Sequence, residues 1–241
     1  MSLDEALRQI AGQAGVNHYG VADLHHAHEA IREQGGDEIA MYPIAISVGM
    51  NLVHPVVDLL PEKSESGLLL YRHYAYNVIN NRLDILVSQL AGRIQEEGYA
   101  AFPVPASTRT NNEKISAFFS HKLAAHCAGL GWIGKSCLLI TESAGPRVRW
   151  GSILTNAPLT PTGTPIKERC GLCHECVDAC PVHAFTGESF REEDPRDIRY
   201  DAGKCDLFFA SLRAQGKEAV CGMCLYACPY GKRASEKIEH P

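Results

Sequence analysis

The sequence predicts a mixed α/β (α+β) protein of two domains, the second a small cysteine-rich module. Three observations predict this. Segments with helical spacing alternate with short apolar runs over the first 155 or so residues. Eight of the ten cysteines lie after residue 169. Between these regions, Ala157 to Gly163 reads APLTPTG, a linker by its two prolines and glycine. The expected domains are 1–160 and 161–241.

The elements follow in order. Leu3 to Ala14 puts Leu3, Leu7, Ile10, Ala11 and Ala14 on one helical face, and Gly15 stops it. HYGVADL and then PIAISVG, from Pro43, read as strands. Glu65 to Glu97 carries one long helical pattern, with Leu83, Leu86, Val87, Leu90 and Ile94 on one side. YAAFPVPAS is a further strand. A helix is expected over Ile115 to Ala128, closed by Gly129. Leu138–Thr141 and Val148–Leu154 are expected to pair across a turn at Gly145-Pro146.

Composition excludes several classes. At 241 residues, with 45% hydrophobic and 21% charged residues, the chain can bury a core and is neither disordered nor fibrous. A net charge of −5 gives no basic footprint for nucleic acid. The N-terminal residues lack the apolar run of a signal peptide. The longest stretch without formal charge, Ile39–Val57, is broken by prolines and a glycine, so no membrane span is expected. These readings point to a cytoplasmic protein, where thiols stay reduced and ten cysteines need a reason other than disulfides.

CGLCHECVDACP supplies that reason. Cys170, Cys173, Cys176, Cys180 and Pro181 fit C-x2-C-x2-C-x3-C-P, the bacterial run for a [4Fe–4S] cluster. Three thiolates on a tight loop grip one cubane, and the fourth is carried off to a second. CGMCLYACP returns Cys221, Cys224 and Cys228, one ligand short of a full run. Cys205 makes up the deficit. The pairing then closes: Cys170, Cys173, Cys176 and Cys228 hold one cluster, and Cys180, Cys205, Cys221 and Cys224 the other. The competing assignment is two four-cysteine zinc sites, but zinc does not need three cysteines in seven residues followed by x3-C-P. Cys205 could also be a lone buried thiol. Cys127 and Cys137 are left over among apolar residues and are expected in the core.

A second segment, HKLAAHCAGLGWIGKSCLLIT, is glycine-rich. Its letters fit both G-x4-G-K-[ST] and G-x-G-x-x-G, yet each motif needs a strand before it and a helix after it. Here a helix precedes and an apolar strand follows. The alternatives are a close approach of backbone to a ligand beside a flat tryptophan, or a tight helix-to-strand turn.

These segments together resemble the epoxyqueuosine reductase family, cobalamin-dependent iron–sulfur enzymes of queuosine tRNA modification. The resemblance rests on LAAHCAGLGWIGKSCLLIT, GSILTN, CGLCHECVDACPVHAF, Cys205 and CGMCLYACPYGK. It implies a nitroreductase-like corrinoid-binding domain followed by a ferredoxin-like domain with two [4Fe–4S] clusters. The clusters would reduce the cobalt of a cobalamin, fed by a ferredoxin or flavodoxin. Matching segments place Gly131, Trp132, Ile133, Gly134 and Lys135, and Ser152 to Asn156 (Ser152, Leu154, Thr155, Asn156), near that corrinoid. The sequence departs from the family in three places. The family's proton-donating aspartate is replaced by Tyr74, in YRHYAYNVINNRL, and reductive dehalogenases, which share the core arrangement, use a tyrosine as donor. His73 is the rival donor, and packing at the helix start is the other use of Tyr74. His121 stands where a glutamate is usual. The family's C-terminal helical sequence for holding tRNA does not follow Pro241, which makes a tRNA partner unexpected. The alternative function is an electron-transfer or corrinoid-reactivating protein with no small-molecule substrate of its own, or, with zinc bound, an interaction module.

Overall fold

The computed structural model describes residues 1–239. The chain forms two compact units that are not contiguous in sequence. Unit 1 comprises 1–51, 78–131 and 149–166; unit 2 comprises 52–77, 132–148 and 167–241. The expected division at 160 is thus redrawn. The last crossing falls at 166/167, and two earlier segments join the cysteine-rich part.

Unit 1 is built on a four-stranded sheet. Its strand order is His18–Asp23, Ile44–Asn51, Val148–Thr155, Ala101–Val104. The first two strands are antiparallel, with His18 opposite Gly49 and Asp23 opposite Ile44. The last two are also antiparallel, with Ala101 opposite Thr155. Ile44 to Met50 is buried throughout, as a central strand with both faces covered requires.

The helix Asn80–Glu96 covers one face. It buries Leu83, Leu86, Val87, Leu90, Ala91 and Ile94 at the expected 3.6-residue spacing. Gly151 makes this contact possible, because a Cβ there would lie 2.9 Å from Val87 Cγ2. The opposite face packs Ala22, Ala45 and Leu154 against Ile31, Ile39, Phe119, Ala124 and Cys127. The N-terminal helix Leu3–Gln13 starts at a capping box, with Ser2 and Glu5 each accepting the other's backbone N–H.

Unit 2 holds short helices, His54–Asp58, Glu65–Arg72, Glu175–Asp178, Ala202–Ala214, Met223–Tyr226 and Pro229–Ser235, and a two-stranded ladder. In the ladder Trp132 is opposite Ile140 and Ile133 opposite Leu139. Arg147, with no exposed surface, anchors the unit. Its guanidinium donates to Asp58 Oδ1 at 2.8 Å and to His54 Nδ1 at 2.9 Å. Ser235 donates to Asp58 Oδ2 at 2.6 Å. Burial raises the Asp58 pKa, but the bonds from Arg147 and Ser235 and the charge of Arg147 outweigh it and hold it below the usual value.

Three expected elements differ. The helix expected from Ile115 begins only at His121 and ends at Cys127. Upstream, Asn111 and Ser116 bridge, Asn111 Oδ1 accepts the Lys114 N–H, and Ile115 has φ +49, so the loop closes on itself. The Leu139–Ile140 strand pairs with Trp132–Ile133, while Val148–Thr155 enters the main sheet. The long helix expected over Glu65–Glu97 is interrupted by a π-helical stretch, His73–Ile79. Among the described residues no helix is long and apolar enough to cross a membrane.

Candidate metal centre

The eight late cysteines all lie in unit 2. Cys170 and Cys173 close a turn in which the Cys173 N–H donates to Cys170 O at 3.0 Å, with Gly171 at φ +53. Cys176 sits in the short helix Glu175–Asp178. Cys221 precedes the helix Met223–Tyr226, which contains Cys224, and Cys228 caps Pro229–Ser235.

By their electrostatic neighbours, Cys176 groups with Cys173 and Cys228, and Cys221 and Cys224 group with Cys205 and Cys180. Burial pushes Cys176 up to about 11, and the neighbouring Cys228 and Cys173 add to the rise. Cys228 is raised by burial and by Cys173. Cys221 is raised by burial and by Cys180 and Cys205, and Cys224 by burial and then most by Cys221 and Cys205. Cys224 also feels Cys176, so the sets adjoin. Among the described residues no three His, Cys, Asp or Glu side chains are gathered as ligands of a single ion.

The donors around the sulfurs fit clusters. The Val177 N–H points at Cys176, Ala184 N–H at Cys180 (3.3 Å), Met223 N–H at Cys221, and Tyr230 and Gly231 N–H at Cys228. Tyr200 donates its hydroxyl to Cys205, and its ring stacks on Phe185 at 5.1 Å. N–H donors on sulfur are how proteins hold cluster thiolates and tune the cluster.

The glycine-rich segment is placed at the same centre. Gly131 through Cys137 are all buried. A Cβ on Gly134 would sit 3.3 Å from Cys170 Sγ. Lys135, 5% exposed, donates Nζ to Gly171 O at 2.8 Å. Trp132 packs edge-on to Tyr230 at 4.8 Å, and Ile133 sits in the ladder. A strand follows this turn instead of a helix, so neither nucleotide motif has its required setting.

The second expected group lies in unit 1 with its side chains engaged. Ser152 Oγ meets His121 Nδ1 at 2.9 Å. Leu154 is core. Thr155 donates to Ala100 O, and Asn156 Oδ1 accepts the Ala100 N–H. Their polar atoms are engaged within unit 1, Ser152 with His121, and Thr155 and Asn156 with Ala100. Tyr74 lies on the π-helical stretch and is half-buried, whereas His73 is exposed and contacts Asn77 Nδ2 at 3.3 Å. Such stretches are frequent at functional sites. Cys127 and Cys137 are buried, as expected.

Sequence reasoning missed Tyr200 and the contact of Trp132 and Lys135 with the Cys170 loop. The only available signal for Tyr200 was an aromatic hydroxyl five residues before Cys205.

Residues 169–231 match the family model of a 4Fe-4S double cluster binding domain. The relatives of this chain are epoxyqueuosine reductases. The epoxyqueuosine reductase of Synechococcus sp. (strain RCC307) is 35% identical over 126 residues, 52% of this chain and 39% of that protein. The chain spans half or less of the length of the first curated epoxyqueuosine reductases it matches. Among solved structures, an epoxyqueuosine reductase with an epoxyqueuosine-modified tRNA stem loop aligns at TM-score 0.61 and 19% identity, over 95% of this chain and 65% of that one. A reductive dehalogenase described for B12-dependent dehalogenation aligns at TM-score 0.67 and 19% identity, over 96% and 33%. At these identities the structures establish likeness of fold, and the α/β class expected from the sequence is the one observed.

Proposed function

We propose that this chain is an iron–sulfur reductase. It takes single electrons from a reduced ferredoxin- or flavodoxin-type carrier and delivers them through two [4Fe–4S] clusters to a bound cobalamin, for reduction of a substrate. The observation that carries the reading is the reciprocal sorting of the cysteines. Cys228 joins Cys173 and Cys176, while Cys180 joins Cys205, Cys221 and Cys224. Two adjoining clusters make a relay.

The cofactor, when bound, supplies the redox chemistry at cobalt. The chain's own part is to hold the thiolates, shield them, and deliver a proton. Tyr74, half-buried on the π-helical stretch, is the proposed donor. The net charge of −5 gives the chain no overall basic bias toward a tRNA backbone. A modified nucleoside or smaller molecule is therefore the proposed substrate class.

The test begins with protein purified without oxygen. Iron and sulfide are counted, then hydroxocobalamin is added and followed by absorbance and EPR. About eight irons with one cobalamin taken up supports the reading. About eight irons and no uptake removes the cobalamin and leaves an electron-transfer protein. Zinc in place of iron overturns both. Turnover is then compared for a free modified nucleoside and an epoxyqueuosine-modified tRNA stem loop, and preference for the stem loop overturns the proposed substrate class.

A further inference from the structure

We infer that Lys135 is the buried counter-charge of the cluster held by Cys170, Cys173, Cys176 and Cys228, and that it sets the reduction potential of that cluster. The inference rests on the iron–sulfur reading above and deepens it by giving the lysine of the glycine-rich turn a task.

Lys135 is 5% exposed. Its Nζ donates to Gly171 O at 2.8 Å and lies 3.5 Å from His174 Nε2. Both contacts are on the chelating loop, Gly171 between Cys170 and Cys173, and His174 between Cys173 and Cys176. Neither is a carboxylate, and no salt bridge among the described residues reaches Lys135. A lysine is almost never buried this far without an opposite charge, because a carbonyl satisfies a donor but does not repay the lost hydration of a cation. The backbone fixes where the side chain starts. Gly134, one residue earlier, runs so close to the loop that a Cβ there would lie 3.3 Å from Cys170 Sγ. Its turn is closed by Gly134 N–H to Leu138 O at 2.9 Å and Cys137 N–H to Gly134 O at 2.8 Å. Lys135 is therefore held against the loop that carries three of the four sulfurs.

The thiolates supply the opposite charge. A cubane on four thiolates is negative overall in both redox states, and more so when reduced. A buried cation beside it favours the reduced form and raises the potential. Other charges near this loop are better solvated. Glu168 Oε1 accepts the Cys170 N–H at 3.0 Å but is half-buried, and Arg169 and Glu142, 3.7 Å apart, are both exposed. Water and salt screen these more than they screen Lys135. The other set has no equivalent on its helix. Lys204, beside Cys205, is exposed and donates to His183 O at 3.1 Å.

The test is a redox titration of the iron-loaded protein, without cobalamin, followed by EPR. Lys135→Gln keeps a donor for Gly171 O and removes the charge; Lys135→Met removes both. Each should lower the potential of one cluster, with its reduction equilibrium weakened about tenfold, which is about 59 mV for one electron. The shifted signal should be the one that Cys228→Ser abolishes, and the other should stay in place. Unchanged potentials in Lys135→Gln, with full iron content, overturn the inference, because the hydrogen bond alone then suffices. Equal shifts of both clusters overturn it too. Should both variants lose iron, the unsubstituted protein decides. With 15N-labelled lysine, NMR of the iron-loaded protein should show an exchange-protected ammonium whose signal moves on reduction and survives Lys122→Arg. Absence of that signal overturns the inference. An iron count far below about eight in the unsubstituted protein is a separate result, which overturns the iron–sulfur reading itself.

Discussion

His121 sets a pH limit on unit 1. Its Nε2 lies 3.0 Å from Pro105 O, which can only accept, so Nε2 carries the proton. Nδ1 therefore accepts from Ser152 Oγ at 2.9 Å. A second proton would sit on Nδ1, displace that bond and place charge near Arg149. Burial first, then Arg149, lowers the pKa to about 4, against the bonding to Pro105. In an unfolded chain the value is about 6.5. Between these values the unfolded chain binds a proton that the folded chain does not, so stability is full above about pH 6.5 and declines as the pH falls. The loss reaches about 1.4 kcal/mol at about pH 5.5 and up to about 3 kcal/mol near pH 4. The assay is urea denaturation followed by circular dichroism, at about pH 7.5 and pH 5.5, on the protein and on His121→Gln. Losses common to both, such as acid damage to clusters, cancel in the comparison. The variant should start about 1–2 kcal/mol less stable through its altered hydrogen bonds, and should lose about 1.4 kcal/mol less on acidification. Parallel losses in the two proteins would refute the argument.

Three further outcomes follow from the geometry. Cys228→Ser should abolish the EPR signal of the cluster whose other ligands lie some 50 residues earlier, and Cys180→Ser should abolish the other, each leaving about four irons; loss of the opposite signal would refute the crossed pairing. Asp58→Ala should cost about 3–5 kcal/mol in urea denaturation, because it strands the buried Arg147 guanidinium. Adding Arg147→Met should recover much of that loss, and a double variant no better than the single one would show that the pair is not what Arg147 is buried for. Tyr74→Phe should keep iron and cobalamin content but slow turnover by about 10²–10⁴-fold, with unchanged turnover ruling out the proton-donor role.

The double-cluster module was legible because chelation fixes sequence spacing. A cubane needs three sulfurs on one tight loop, and that demand shows as C-x2-C-x2-C whatever surrounds it. The alternating apolar pattern likewise announced Ile44–Asn51 and the buried stripe of Asn80–Glu96. Lys135 was legible as unusual but not in purpose, since its partner Gly171 is far away in sequence. The glycines were read as permitting either close approach to a ligand or a tight turn, and in the structure a Cβ on Gly134 would lie 3.3 Å from Cys170 Sγ. The π-helical stretch was invisible because an added residue per turn leaves composition unchanged. The false start at Ile115 has a different cause. ISAFF carries helical spacing, but the Asn111 side chain offers the backbone a tighter local turn.

The proposed crossed ligands would also govern the order in which this protein can be made. Cys170, Cys173 and Cys176 emerge from the ribosome together, but their proposed fourth partner is Cys228. At roughly 5–20 residues per second, the intervening stretch takes several seconds to synthesise. Through that interval three thiols wait without a closing ligand, open to oxidation. The other set waits for Cys221 and Cys224 from the same late segment. Neither centre can be completed early, so iron has to arrive near the end of translation or after it, and the two centres are built as one event.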